Sequence, residues 1–129
     1  MPRIEVLRRR LGLVPAAAKE RRMTIARYTS HALVPTEHAS RYLQQLCKHW
    51  QHNLQVEFTP ENGTVIFPKD ARGADHPGDA VVAFDVAETG LEVRIDATSD
   101  EQLEGLKGAV ARHLDRFAFR EGELQFDWQ

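Results

Sequence analysis

Apolar positions recur with two different periods along this chain, and the alternation between those periods sketches the fold. Between Thr36 and Asn53 the residues Ala39, Tyr42, Leu43, Leu46, Cys47 and Trp50 return at the spacing of one helical face, predicting a helix over 37–52. Thr36 is placed to cap its first turn, Glu37 suits the positive end of the dipole, and Lys48, His49 and His52 suit the negative end. Asn53 is a residue that tolerates the left-handed turn expected to stop it. A second helical stripe, Leu103, Leu106, Val110, Leu114 and Phe117, predicts a helix over 100–117. Ser99 and Gln102 form a capping-box signature at its start, Arg112 and Asp115 fall off the stripe, and Gly108 weakens the interior by about 1 kcal/mol.

Elsewhere the period is two. Tyr28, Ser30, Ala32 and Val34 alternate with Arg27, Thr29, His31 and Leu33, predicting a strand within 24–34 that Pro35 ends. Val56 and Phe58 define a strand over 55–59, Pro60 to Gly63 supply a turn, and 64–67 returns as its hairpin partner. Residues 80–86 are apolar on both faces, as in a central strand, and Glu88 to Gly90 turn the chain into Leu91, Val93, Ile95 and Ala97. Leu124, Phe126 and Trp128 predict a closing strand. The stretch 68–79, with two prolines and two glycines, reads as an exposed loop, either functional or dispensable.

The element order β-α-β-β-β-β-α-β predicts an α+β domain of two layers: a mostly antiparallel sheet with both helices on one face. The opposite face exposes Glu57, Glu92, Arg94, Asp96 and Asp127, and is either solvated or paired with another subunit, so the protein is a monomer or a homodimer. Its 129 residues suffice for one domain, expected over 23–129, and 42% hydrophobic with 28% charged residues is the balance of a globular chain rather than a disordered one.

Charge alters this picture at one end. Residues 1–22 hold seven Lys/Arg against two Asp/Glu, whereas 23–129 hold ten against seventeen. The first segment reads as a basic tail, with a weak targeting segment or a true start at Met23 as alternatives; Pro15 interrupts its apolar part, which makes a poor signal core. An acidic body disfavours nucleic-acid binding, which depends on neutralising phosphates. No apolar run approaches the roughly 20 residues that span a bilayer, and a single cysteine suits a reducing compartment, so a cytoplasmic protein without membrane partners is expected.

Chemistry concentrates on the first helix. His38, Gln45, His49 and His52 share a flank beside Tyr42, and the His49–His52 spacing presents two imidazoles. A closed metal site needs about four ligands, and the nearest further donors are His113 and Cys47, so helix-end cations are the better explanation and no metal is expected. Cys47 has Lys48 and His49 beside it, as an activated thiol would, but leans to the apolar side and reads as inert. Lys107, Arg112, Arg116 and Arg120 lend basic character to the second helix and its exit, suited to an anionic ligand or an acidic partner. His49, His52, His113, Arg116 and Arg120 therefore form the candidate binding surface. Phe117, Phe119 and Trp128 read as core rather than a cofactor stack. The chain lacks a Walker motif, GxGxxG, GxSxG and HExxH, and no catalytic residue or cofactor is assigned.

The segments ASRYLQQLCKHWQH at 39–52 and HLDRFAFREGELQFDW at 113–128 resemble the signatures of an uncharacterised bacterial family, domain-of-unknown-function family 2218. The similarity extends over about 23–129, and the run Arg116 to Glu121 is its most distinctive part. The 69–79 loop and Asn53, where the family tends to have lysine, depart from the pattern. The resemblance implies no activity. Such domains occur beside siderophore-interacting ferric reductases, which implies a link to iron handling and a ferric-siderophore reductase or another protein as partner. Two function classes follow: a small non-catalytic binding or accessory protein, and a metal- or redox-dependent protein using the histidines around His49 and His52.

Overall fold

A computed structural model describes residues 28–122 and 124–129. The expected basic tail of 1–22, the alternative start at Met23 and the first residues of the opening strand lie outside them. Strand β1 (Tyr28–Pro35) leads into helix α1 (Ala39–Trp50), followed by β2 (Gln55–Phe58), β3 (Asn62–Phe67), β4 (Ala80–Ala87), β5 (Gly90–Ala97) and helix α2 (Asp100–Phe117). Short 3-10 turns occupy Ala71–Gly73 and Phe119–Glu121. The sheet is antiparallel throughout in the order β1-β5-β4-β3-β2, so the first strand pairs with the last.

The two-residue period decides which side chains meet the helices. Register aligns Val56, Val65, Val82, Ile95 and Ser30 in one row and Phe58, Gly63, Phe84, Val93 and Ala32 in the next. Both helices pack over these rows. The six apolar positions of α1 are all buried, and Leu103, Leu106, Val110 and Leu114 of α2 join them in one core. The alternate positions form the other face, where Glu57, Thr64, Ala83, Arg94 and His31 share a row. Close approach of α1 explains the glycine in the second buried row: a Cβ on Gly63 would lie 2.8 Å from Cys47 Sγ. Gly90 is equally constrained, because a Cβ there would meet the Val34 carbonyl oxygen at 2.2 Å.

Several local expectations need correction. Helix α1 begins at Ala39, with His38 at the N-cap position and no side-chain cap; Thr36 Oγ1 instead accepts the His38 N–H at 3.0 Å. Asn53 is not left-handed, since Arg72 is the one non-glycine residue with positive φ among the described residues. The α1 end is closed by Gln51, Asn53 and Leu54 N–H groups donating to Cys47 and Trp50 carbonyls. The capping box of α2 is half formed: Ser99 Oγ accepts the Gln102 N–H at 3.0 Å, but the Gln102 side chain accepts from Thr98 N–H at 2.7 Å rather than from Ser99.

Residues 124–129 form no strand. Leu124 is buried and Phe126 and Trp128 pack against the core, as their alternation requires, yet the backbone pairing there, among the described residues, is the exchange between Gln129 and His31, at 2.8 and 3.3 Å. The Asp115 carboxylate, off the apolar stripe, accepts the Leu124 N–H at 3.3 Å and turns the chain toward that packing. The 68–79 loop, for its part, is pinned at its exit. Gln102 Nε2 donates to Gly78 O at 3.1 Å, Thr98 Oγ1 accepts the Gly78 N–H at 3.1 Å, and Thr98 and Gln102 are buried. Lys69 N–H donates to Asp79 Oδ1 at 2.9 Å and ties the two ends together.

Candidate functional site

Two polar groupings stand out on the helical layer. The first lies where the last turn of α1 meets α2. Consecutive residues of a helix point about 100° apart, so Trp50 turns into the core against Phe67 and Phe84 while His49 stays exposed at the seam. From α2, His113 reaches both: its ring centroid lies 5.1 Å from that of His49 and 5.0 Å from that of Trp50. Phe117, one turn further, meets the His49 ring edge-on at 6.2 Å.

His113 is held in one chemical form. Its Nδ1 lies 2.7 Å from the Ala109 carbonyl oxygen, which can only accept, so Nδ1 carries the proton and Nε2 keeps its lone pair. Burial pushes its pKa below the ordinary 6.5, the Ala109 bond opposes this, and the positive ends of His49, Arg116 and Arg112 add to the lowering. At neutral pH the seam therefore presents an uncharged imidazole acceptor among basic neighbours.

Of the five residues proposed from sequence, the structure brings His49 and His113 together. Arg116, exposed in the last turn of α2, is near enough to act on His113 electrostatically. His52 is exposed beyond the end of α1, and Arg120 belongs to the 3-10 turn, where its guanidinium carbon sits 5.6 Å from the Phe119 ring centroid. Phe119 itself corrects the expectation of a core residue: it is exposed, whereas Phe117 is half-buried and Trp128 stacks on Phe126. Among the described residues no group of three or more His, Cys, Asp or Glu side chains is placed to share a metal ion. Cys47 is fully buried, and that burial pushes its thiol up to about 11, far from a nucleophile's range.

The second grouping was missed by sequence reasoning. The Tyr42 hydroxyl donates to the Glu121 carboxylate, and Thr36 Oγ1 approaches the same carboxylate at 2.9 and 3.1 Å. Burial, then the bond to Glu121, raises Tyr42 to about 12 and keeps it protonated as a donor. These contacts fasten the exit of α2 to the entrance of α1. Beside them a groove of about 470 Å³ is lined by Pro35, Thr36, Glu37, His38, Thr89 and Glu121. The available signal was Tyr42, a hydroxyl on an otherwise apolar stripe, because a buried tyrosine O–H requires a partner.

No curated protein matches this sequence. Among solved structures, the NMR structure of PA4090 from Pseudomonas aeruginosa is similar, with a TM-score of 0.61 and 31% identity over 80% of this chain and 96% of that one. No helix among the described residues is long and apolar enough to cross a membrane. A family model described as an uncharacterised protein conserved in bacteria matches residues 31–129, the span that contains the histidine seam and the Tyr42–Glu121 contact, and the chain belongs to that family, DUF2218.

Proposed function

We propose that the protein is a small non-catalytic binding or accessory protein of iron or siderophore metabolism, and that the seam between α1 and α2 receives an anionic ligand. The observation that carries this reading is the His49–His113 approach at 5.1 Å over Trp50, with Arg112 and Arg116 beside it. The accessible His49 and His113 rings, a neutral acceptor and exposed guanidinium groups suit an aromatic, negatively charged ligand, such as a catecholate, by ring contact and charge together. The buried lone thiol accords with a reducing, cytoplasmic setting. The test is NMR titration of the full chain with gallium(III) tris-catecholate, a diamagnetic stand-in for the ferric complex. Saturable shifts of the His49, His113 and Trp50 ring signals, weakened by Arg116→Ala, are expected; no shift at these three residues would overturn the reading.

A second reading, a metal- or redox-dependent protein, is favoured by one observation: the Nε2 lone pair of His113 is in the form that ligates metals, with His49 beside it. Two protein ligands make an open, weak site. Zinc titration followed by the same ring signals separates the readings, since the metal reading requires stoichiometric binding abolished by His49→Ala.

A further inference from the structure

The turn that leaves α2 holds an aromatic ring in open water beside a groove of opposite charge. Phe119 is 69% exposed, against 42% or less for the other exposed large hydrophobic residues described. Its exposure is built in rather than frayed. Ala118 beneath it is buried, Glu121 N–H donates to Ala118 O at 2.9 Å, Gly122 N–H donates to Phe119 O, and the Glu121 carboxylate is fastened to Tyr42 and Thr36. Arg120 lies over the Phe119 ring, so the turn presents the two side chains together as a Phe–Arg pair. Aromatic and arginine side chains dominate the energetic centres of protein interfaces.

Among the described residues the adjoining groove carries two carboxylates, Glu37 and Glu121, and neither Lys nor Arg lines it. Glu121 is engaged by Tyr42 and Thr36, whereas Glu37 has no ion-pair partner among the described residues. Knob and groove share one turn of chain, since Glu121 lines the groove and Phe119 stands two residues before it. A single patch that bears both an apolar-cationic knob and an anionic groove is complementary to itself, which is the requirement of a two-fold contact.

We propose that this patch is the interface between two copies of the chain, each seating Phe119 in the other's groove with Arg120 against the other copy's Glu37. The ring is withdrawn from water, and each of the two symmetric ion pairs joins Glu37 of the groove to the cation of the knob. An unrelated partner would need neither the charge match nor its placement within one patch.

Sedimentation velocity of the full chain over about 5–300 µM, the range suited to a modest interface, tests this. The wild type should pass from monomer to dimer. Phe119→Ala should weaken association about tenfold or more, as an interface centre does. Arg120→Glu and Glu37→Arg should each weaken it by about fivefold or more, and the two together should restore it to within about threefold, because the swap re-forms both pairs with reversed sign. All three side chains are exposed, so circular dichroism should be unchanged. A monomer throughout, a dimer indifferent to Phe119→Ala, or failure of the double swap to restore association would each overturn the proposal.

Discussion

Gly63→Ala is the substitution whose cost can be worked most directly from the structure. The new methyl carbon would lie 2.8 Å from Cys47 Sγ and 3.1 Å from Phe58 Cβ, where ordinary carbon contacts lie at about 3.5–4.0 Å. Cys47 cannot swing aside easily, because it is fully buried in the middle of α1. At 2.8 Å from a buried sulfur the cost of forcing an atom into a packed core falls in the upper part of its usual range, about 2–3 kcal/mol, and the strand propensity gained by replacing glycine returns about 0.5–1 kcal/mol, leaving a net loss of about 1–2.5 kcal/mol. Cys47→Ala alone should cost about 1 kcal/mol, the value of a deletion of one buried heavy atom. In the double variant the added methyl occupies the space the sulfur vacates, so its loss should stay under about 1 kcal/mol, below the sum of the single losses by about 1 kcal/mol or more. Urea denaturation with a slope of about 1–3 kcal/mol/M would show Gly63→Ala as a midpoint shift of about 1 M that Cys47→Ala largely reverses. Additive losses, or a neutral Gly63→Ala, would refute the reasoning that α1 sits directly on this glycine.

Gly90→Ala should be worse and have no side-chain rescue, because its methyl would meet the Val34 carbonyl oxygen and Pro35 Cα of the backbone; amide exchange should show β1 opening from β5. Stability should fall as pH rises above about 9, since the unfolded chain releases the Cys47 proton near 9.0 and the Tyr42 proton near 10.0, whereas the folded chain holds them to about 11 and about 12; Cys47→Ala should remove the earlier part of the fall in a melting series. On the acid side the lowered His113 pKa has the reverse consequence: below about 6.5 the unfolded chain takes up the proton first, so stability falls with falling pH, and NMR of the His113 ring should show it neutral where a free imidazole is half protonated. Gln102→Ala should cost about 1–3 kcal/mol and loosen the 68–79 loop, read as faster exchange of the Gly78 amide, because it leaves the buried Thr98 N–H without its acceptor and Gly78 O with the Thr98 hydroxyl as its remaining donor.

The side chains that enter the core were legible because period alone determines them: every residue of the α1 stripe is buried, and the alternation at 91–97 names its inner face correctly. Alternation says which side chains face inward, not whether the backbone is paired, so Leu124, Phe126 and Trp128 read correctly as packed and incorrectly as a strand. Phe119 misled for a related reason. Aromatic residues tend to be buried, but its exposure is imposed by contacts of Glu121 with residues far away in sequence. The candidate surface was legible in part, since the approach of His49 to His113 depends on which flanks of two helices face each other, and no local pattern encodes that. The Tyr42–Glu121 bond joins residues from opposite ends of the domain and left only an unexplained hydroxyl as its trace.

The strand order has a kinetic consequence. Strands β3, β4 and β5 are each laid beside the strand that precedes them, and their pairing closes local loops. Strand β1 must instead find β5 across a helix and three strands, so partners such as Val34 and Leu91 meet only after the intervening chain is compact. Docking of β1 is then the late event of folding, and until it occurs the unpaired edge of β5, rich in leucine, valine and isoleucine, is the place where newly made chains are most open to mispairing with one another.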